Sequence, residues 1–122
     1  MKHLIIPLML LFAAHATAAE SESEIVQTLA SCLLENAPEL WESVSVSYSR
    51  EGTDVEGRKQ VSVKHNVTIG SQTTKLEPCR PLVPAMLVEK LNRTLPDNSQ
   101  QWKQVTITIF RTGKFKVDWI QP

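Results

Sequence analysis

Residues able to carry acid–base chemistry are sparse after the first twenty positions. His65 is the only histidine there, and it lies among alternating valines of a predicted strand, so we expect it to be packed. Glu35 and Glu39 have the side chains that glycoside hydrolysis requires, but they flank a predicted helix end, where we expect solvated carboxylates. A lone histidine makes no zinc site. We therefore expect a protein that is not an enzyme, with no catalytic residue, no metal ligand and no cofactor.

The first nineteen residues have the pattern of a secretory signal peptide. A short basic start over 1–3 precedes an apolar run over 4–14 and small residues over 15–19 that suit a signal peptidase. The apolar run is too short to span a bilayer. We predict that residues 1–19 are a cleaved signal peptide and that residues 20–122 are one domain. The mature protein is then expected to be periplasmic, with no stable membrane insertion.

Export gives the two cysteines, Cys32 and Cys79, a structural interpretation. In an oxidising compartment an even number of cysteines predicts a disulfide. Their spacing is far from the C-x-x-C of redox proteins, so we expect a cross-link and not a reactive pair. Closing so long a loop would contribute roughly 4 kcal/mol in the chain-entropy description.

Acidic and basic residues separate along the chain although the formal net charge is zero. Residues 20–56 hold nine acidic residues and one basic residue, whereas residues 57–122 hold four acidic and eleven basic residues. The fold could mix the two halves on one surface, or one acidic face could meet a basic partner. The basic residues form no run dense enough to indicate nucleic acid, so we expect no nucleic-acid partner.

Two helices are predicted from periodicity and proline. Ser21 to Glu24 has the form of a capping box, and apolar residues recur behind it at helical spacing, which predicts a helix over about 22–35. Pro38 explains its end, because the residue before proline resists the helical conformation. Pro81 and Pro84 predict the start of a second helix, because proline is tolerated in a first turn, and Pro96 predicts its end.

Apolar residues alternate with polar ones in four further segments, which predicts half-buried strands around 43–49, 61–69, 105–109 and 115–119. A short extra strand is predicted over 73–76, and Glu51–Asp54 is predicted to be a turn. The fold class is then α+β, in the order α-β-β-(β)-α-β-β. An antiparallel sheet of four to five strands carries both helices on one face, with one disulfide.

Two motifs resemble the YezG-like family of bacterial immunity proteins. The stretch Pro38-Glu39-Leu40-Trp41-Glu42-Ser43-Val44 enters the first strand, and Gly113-Lys114-Phe115-Lys116-Val117-Asp118-Trp119 resembles the closing strand of that family. Trp102 precedes the penultimate strand in a similar place. The resemblance implies a small single-domain protein that binds and neutralises a toxin made by the same lineage. This chain differs from the usual, cytoplasmic members by its signal peptide and its cysteines.

Export and the resemblance together predict a periplasmic immunity protein of interbacterial competition. Its partner would be a cognate toxin acting in the periplasm, and we expect a peptidoglycan-targeting effector. Glu51, Asp54 and Glu56 are our candidate toxin contacts, because loops on a rigid scaffold commonly carry binding.

Two other functions stay open, namely a secreted or periplasmic inhibitor of a host lysozyme or protease, and an envelope structural or ligand-binding module. The oligomeric state is open between monomer and homodimer. A dimer would form by edge pairing of the first strand, whose Ser-rich outer face carries little charge.

Overall fold

Two helices pack on one face of a five-stranded antiparallel sheet in the computed structural model, which describes residues 21–122. The predicted signal peptide, residues 1–19, lies outside the described residues. The elements in chain order are α1 (Glu22–Leu34), β1 (Ser43–Thr53), β2 (Lys59–Ile69), β3 (Gln72–Lys75), α2 (Val83–Asn92), a 3₁₀ turn (Asp97–Ser99), β4 (Gln104–Phe110) and β5 (Phe115–Ile120). The predicted fold class is confirmed, with the optional third strand present.

Helix α1 begins at the capping box that the sequence predicts. The Ser21 side chain accepts a hydrogen bond from the Glu24 backbone N–H, and the Glu24 carboxylate accepts one from the Ser21 backbone N–H. These bonds satisfy two backbone donors that a helix start leaves free. One stripe of the helix is buried, formed by Ile25, Val26, Leu29, Cys32 and Leu33.

The strand order is β3-β2-β1-β4-β5, so β1 is the central strand. The expectation that the first strand pairs at an open edge is therefore wrong. Ser43 to Ser49 pair with β2 on one side and with β4 on the other. The apolar stripe of β4, centred on Ile107, continues the buried face of β1, and this favours their pairing.

The core lies between the two helices and the sheet. Val44, Val46 and Tyr48 of β1 are buried there, and Val88 and Leu91 of α2 cover them together with the buried stripe of α1. Helix α2 is shorter than the segment between Pro81 and Pro96, because it ends at Asn92 and the chain then turns.

The predicted turn at Glu51–Asp54 is wrong in position. Strand β1 continues to Thr53, and the chain reverses over residues 54–58. Gly52, at a φ of +92°, accommodates a register shift within the hairpin instead of making the turn. Glu51 therefore lies in a strand.

The predicted Cys32–Cys79 disulfide is confirmed, with the two Cα atoms 4.7 Å apart. The Cys79 backbone N–H also donates to the Cys32 carbonyl oxygen at 2.9 Å. The cross-link ties α1 to the segment that leads into α2. Within residues 21–122, no helix has the length and apolar character needed to cross a membrane.

Candidate binding surfaces

The hairpin formed by β1 and β2 extends beyond the rest of the sheet. Pairing of β1 with β4 ends at Ser49, whereas pairing with β2 continues to Thr53. Residues 50–61, which we name the arm, therefore form a two-stranded projection. Its residues beyond Arg50 are exposed except Asp54, which is half-buried. At about 3.3 Å per residue, the four residues from Arg50 to Asp54 extend about 13 Å.

Hydrogen bonds order the end of the arm. The Asp54 backbone N–H donates to the Arg58 carbonyl, and the Gly57 N–H donates to the Asp54 carbonyl, both at 2.9 Å. Asp54 Oδ1 accepts from the backbone N–H groups of Glu56 and Arg58, each at 2.9 Å. Arg58 Nε donates to Asp54 Oδ2 at 2.8 Å. The shape of the turn is thus set by local bonds, and Gly57 supplies the φ of +83° that it requires.

The ordered turn presents one apolar side chain to solvent. Val55 is 99% exposed, the highest value among the large hydrophobic residues of the described chain. Glu56 follows it, with its carboxylate 3.3 Å from Arg58 Nη2. Glu51 forms no ion pair or hydrogen bond through its side chain with any residue of the described range. The end of the arm therefore offers an aliphatic side chain beside the Glu56 carboxylate, whereas Glu51 lies farther back in the strand.

Arg50 joins the arm to the body. Its guanidinium lies 3.6 Å from the centre of the buried Trp102 ring, and Nη1 donates to the carbonyl oxygens of Gln100 and Trp102 at 3.0 and 3.3 Å. The Arg50 backbone N–H donates to the Lys103 carbonyl at 2.8 Å. Stacking and hydrogen bonds therefore limit the motion of the arm at its base.

The sheet face opposite the helices, which we name the open face, carries short polar side chains. In the central strands these are Ser43, Ser45, Ser47, Ser49, Thr106 and Thr108, all half-buried. The Ser47 and Thr106 hydroxyls lie 3.5 Å apart, and Gln104 Nε2 donates to Ser47 Oγ at 3.1 Å. None of the elements within residues 21–122 covers this face.

A cleft of about 540 Å³ lies beside α2, lined in part by Tyr48, Met86, Glu89 and Arg93. The Tyr48 hydroxyl donates a short hydrogen bond to Glu89 Oε2. Burial, together with this bond to a carboxylate, raises the pKa of Tyr48 to about 12. Since Tyr48 also contacts Trp102 edge-on, its hydroxyl belongs to the packing of the core.

Glu51, Asp54 and Glu56 all lie on the arm, but only Asp54 and Glu56 lie at its end. Asp54 holds the turn, Glu56 pairs with Arg58, and Glu51 is an exposed residue of β1. Sequence reasoning missed Val55 and Arg50. The Gly52 and Gly57 pair was the available signal for a long hairpin.

The other residues that could carry acid–base chemistry lie outside the arm. His65 is half-buried on β2, and burial lowers its pKa because it disfavours the charged form. Its Nε2 atom is buried without a hydrogen-bond partner in residues 21–122. Glu35 and Glu39 are both exposed. Within the same residues no three His, Cys, Asp or Glu side chains form a group that could hold a metal ion.

In comparisons with known proteins, the sequence matches no protein-family model and no curated protein.

Proposed function

We propose that this protein is an exported immunity protein, which binds and neutralises a toxin acting in the periplasm. The toxin class we favour is a peptidoglycan-targeting effector of interbacterial competition. The predicted signal peptide supports the compartment, and the disulfide is consistent with it because disulfides persist in oxidising environments. The resemblance of the Trp41 and Trp119 motifs to immunity proteins supports the role.

The observation that carries the proposal is the ordered end of the arm. Binding normally costs free energy to immobilise loops, and a turn already closed by Asp54 and Arg58 avoids most of that cost. Val55 supplies an apolar side chain that a partner pocket can remove from water, and full burial of a valine side chain is worth about 1.5–3 kcal/mol.

The shape of the arm fits an enzyme with an open cleft. A projection of about 13 Å can enter a groove that must itself admit a polymer such as peptidoglycan. Glu56 follows Val55 and pairs with Arg58, so the groove would combine an apolar pocket with polar groups beside it. Occupying the groove excludes the substrate, and inhibition then needs no chemistry from the immunity protein.

The biological test is survival of a deletion strain in co-culture with wild-type cells of the same lineage. We expect the deletion strain to be killed and the exported wild-type chain to rescue it. Survival of the deletion strain without rescue would contradict the proposal. If purified protein instead inhibits a host lysozyme or protease and gives no protection among siblings, the inhibitor function would replace it.

The arm itself is tested by Val55→Asp, with Leu40→Asp as the matched control. Leu40 is 75% exposed and lies outside the arm, so both substitutions place the same charge at an exposed apolar position. Losing the burial of a valine side chain costs about 2 kcal/mol. Val55→Asp should therefore weaken toxin binding by about 30-fold or more, and Leu40→Asp should leave it unchanged. Arg50→Ala should weaken binding by loosening the arm while the core remains folded. Equal binding by all three variants would exclude the arm as the contact.

A further inference from the structure

The open face lacks the apolar centre that protein interfaces usually have. Hydroxyl side chains occupy the middle of β1 and β4, and the large apolar residues Phe110 and Ile120 lie only at its border. Cores of protein–protein interfaces are enriched in aromatic residues and Met and depleted in Ser. The composition of the face therefore favours a ligand that is itself rich in hydrogen-bonding groups.

Charge on the open face is arranged at its two sides. Lys75, Asn66, Ser45, Thr108 and Lys116 are register neighbours from β3 across to β5. With strands about 4.8 Å apart, the lysines at the ends of this row are attached to backbones about 19 Å apart. Hydroxyl and amide groups lie between them, and the Ser45 and Thr108 hydroxyls form no hydrogen bond with residues 21–122.

The face as a whole is cationic. Lys64 lies in the next row, with Asp118 at the other end of that row. Asp118 Oδ2 is 3.8 Å from Lys116 Nζ, but both side chains are more than half exposed, so this pair is weak and an anionic ligand can compete for Lys116. Three lysines and one aspartate leave a net positive charge, which disfavours a second copy of the same face.

We infer that the open face binds an acidic polysaccharide that lies across the strands. Its hydroxyl groups exchange hydrogen bonds with the central Ser and Thr side chains, and its carboxylates pair with Lys64, Lys75 and Lys116. Short side chains on a sheet lose little conformational entropy when they bind, which suits a ligand held by many weak contacts. This inference does not rest on the toxin-binding proposal, because the open face and the end of the arm are separate surfaces.

The probes are purified peptidoglycan sacculi, which bear stem-peptide carboxylates, soluble alginate as a second acidic polysaccharide, and dextran as a neutral one. We expect the mature protein to co-sediment with sacculi and to bind alginate, but not to bind dextran. Both interactions should weaken as added salt screens the charges. Binding to sacculi alone identifies the cell wall as the source of the ligand. Equal binding to dextran, or binding to none of the three, would overturn the inference.

Variants locate the binding surface. Replacing Lys64, Lys75 and Lys116 together by Ser should weaken binding about tenfold or more, which corresponds to 1.4 kcal/mol. The control carries the same charge change at exposed residues of other surfaces, namely Arg80→Ser, Arg93→Ser and Lys103→Ser, and should bind like the wild type.

A second variant, Ser45→Ala with Thr108→Val, removes the two hydroxyls with little change in side-chain size, and it should also weaken binding. Circular dichroism verifies that each variant is folded. Unchanged binding by the lysine variant overturns the inference. Sedimentation equilibrium tests the other outcome. If the wild type is a homodimer and the lysine substitutions dissociate it, the open face is a subunit interface and the inference is overturned.

Discussion

Breaking the Cys32–Cys79 cross-link should lower the free energy of unfolding by about 4 kcal/mol. The two cysteines are separated by 47 residues, and closing a loop of that length removes about 14 cal/mol/K of entropy from the unfolded chain, or about 4 kcal/mol at 25 °C. The free energy of unfolding of a domain of this size is about 5–15 kcal/mol, so the loss is a large part of its stability. The core residues of α1 remain, and we expect the fold to persist at 25 °C.

Urea unfolding of three samples measures this loss. They are the oxidised mature protein, the same protein kept reduced, and the Cys32→Ala, Cys79→Ala double variant. With a slope of about 2 kcal/mol/M, a loss of 4 kcal/mol lowers the midpoint by about 2 M. The reduced sample is the matched control, because it keeps both sulfur atoms and changes only the bond.

The reduced sample and the double variant should agree within about 1 kcal/mol, since both restore the same freedom to the unfolded chain. A loss below about 1 kcal/mol in the reduced sample would refute the reasoning. It would mean that the unfolded chain keeps the two segments together without the bond.

Two further predictions concern the polar groups beneath α2. Trp102→Phe removes the 2.7 Å hydrogen bond from Trp102 Nε1 to the buried Asn92 Oδ1, and should lower the free energy of unfolding by about 1–3 kcal/mol. Adding Asn92→Leu should recover part of this loss. A Trp102→Phe variant as stable as the wild type in chemical unfolding would contradict this account. Tyr48 is the only tyrosine, so ultraviolet titration reports it alone and should give a pKa of about 12. The pKa of Tyr48 in the folded protein lies above its unfolded value near 10, so the free energy of unfolding should fall as pH rises from about 10 to 12. Tyr48→Phe should remove this fall. A pKa near 10 for Tyr48 in the native protein would contradict the prediction.

The elements of the fold were predictable because each has a local cause. Alternation of Val44, Val46 and Tyr48 with serines predicts a strand with one buried face, and the capping box at Ser21 places the start of α1. Two cysteines in a chain with a predicted signal peptide predict a disulfide between them. Each of these signals is contained in a few neighbouring residues.

Strand order and the arm depend on causes that are not local. The alternation of apolar and polar residues in β1 is the same whether the strand is central or at an edge. Only the pairing of β1 with β4 decides its position in the sheet. The hairpin turn was misplaced because Gly52 and Asp54 are typical turn residues. The bond from Arg58 to Asp54 and the anchoring of Arg50 on Trp102 instead move the reversal to residues 54–58.

The residues that set the shape of the arm differ from those that it exposes at its end. Asp54, Gly57 and Arg58 form the turn, while Val55 and Glu56 contribute no contact to the core. Mutation at these two positions therefore carries little stability cost, and the protein can explore new surfaces without losing its fold. Under the proposed function, a toxin that changes its binding groove could be followed by one or two substitutions at the end of this hairpin. The arm is thus a part of the molecule whose exposed surface can change while the body keeps its fold.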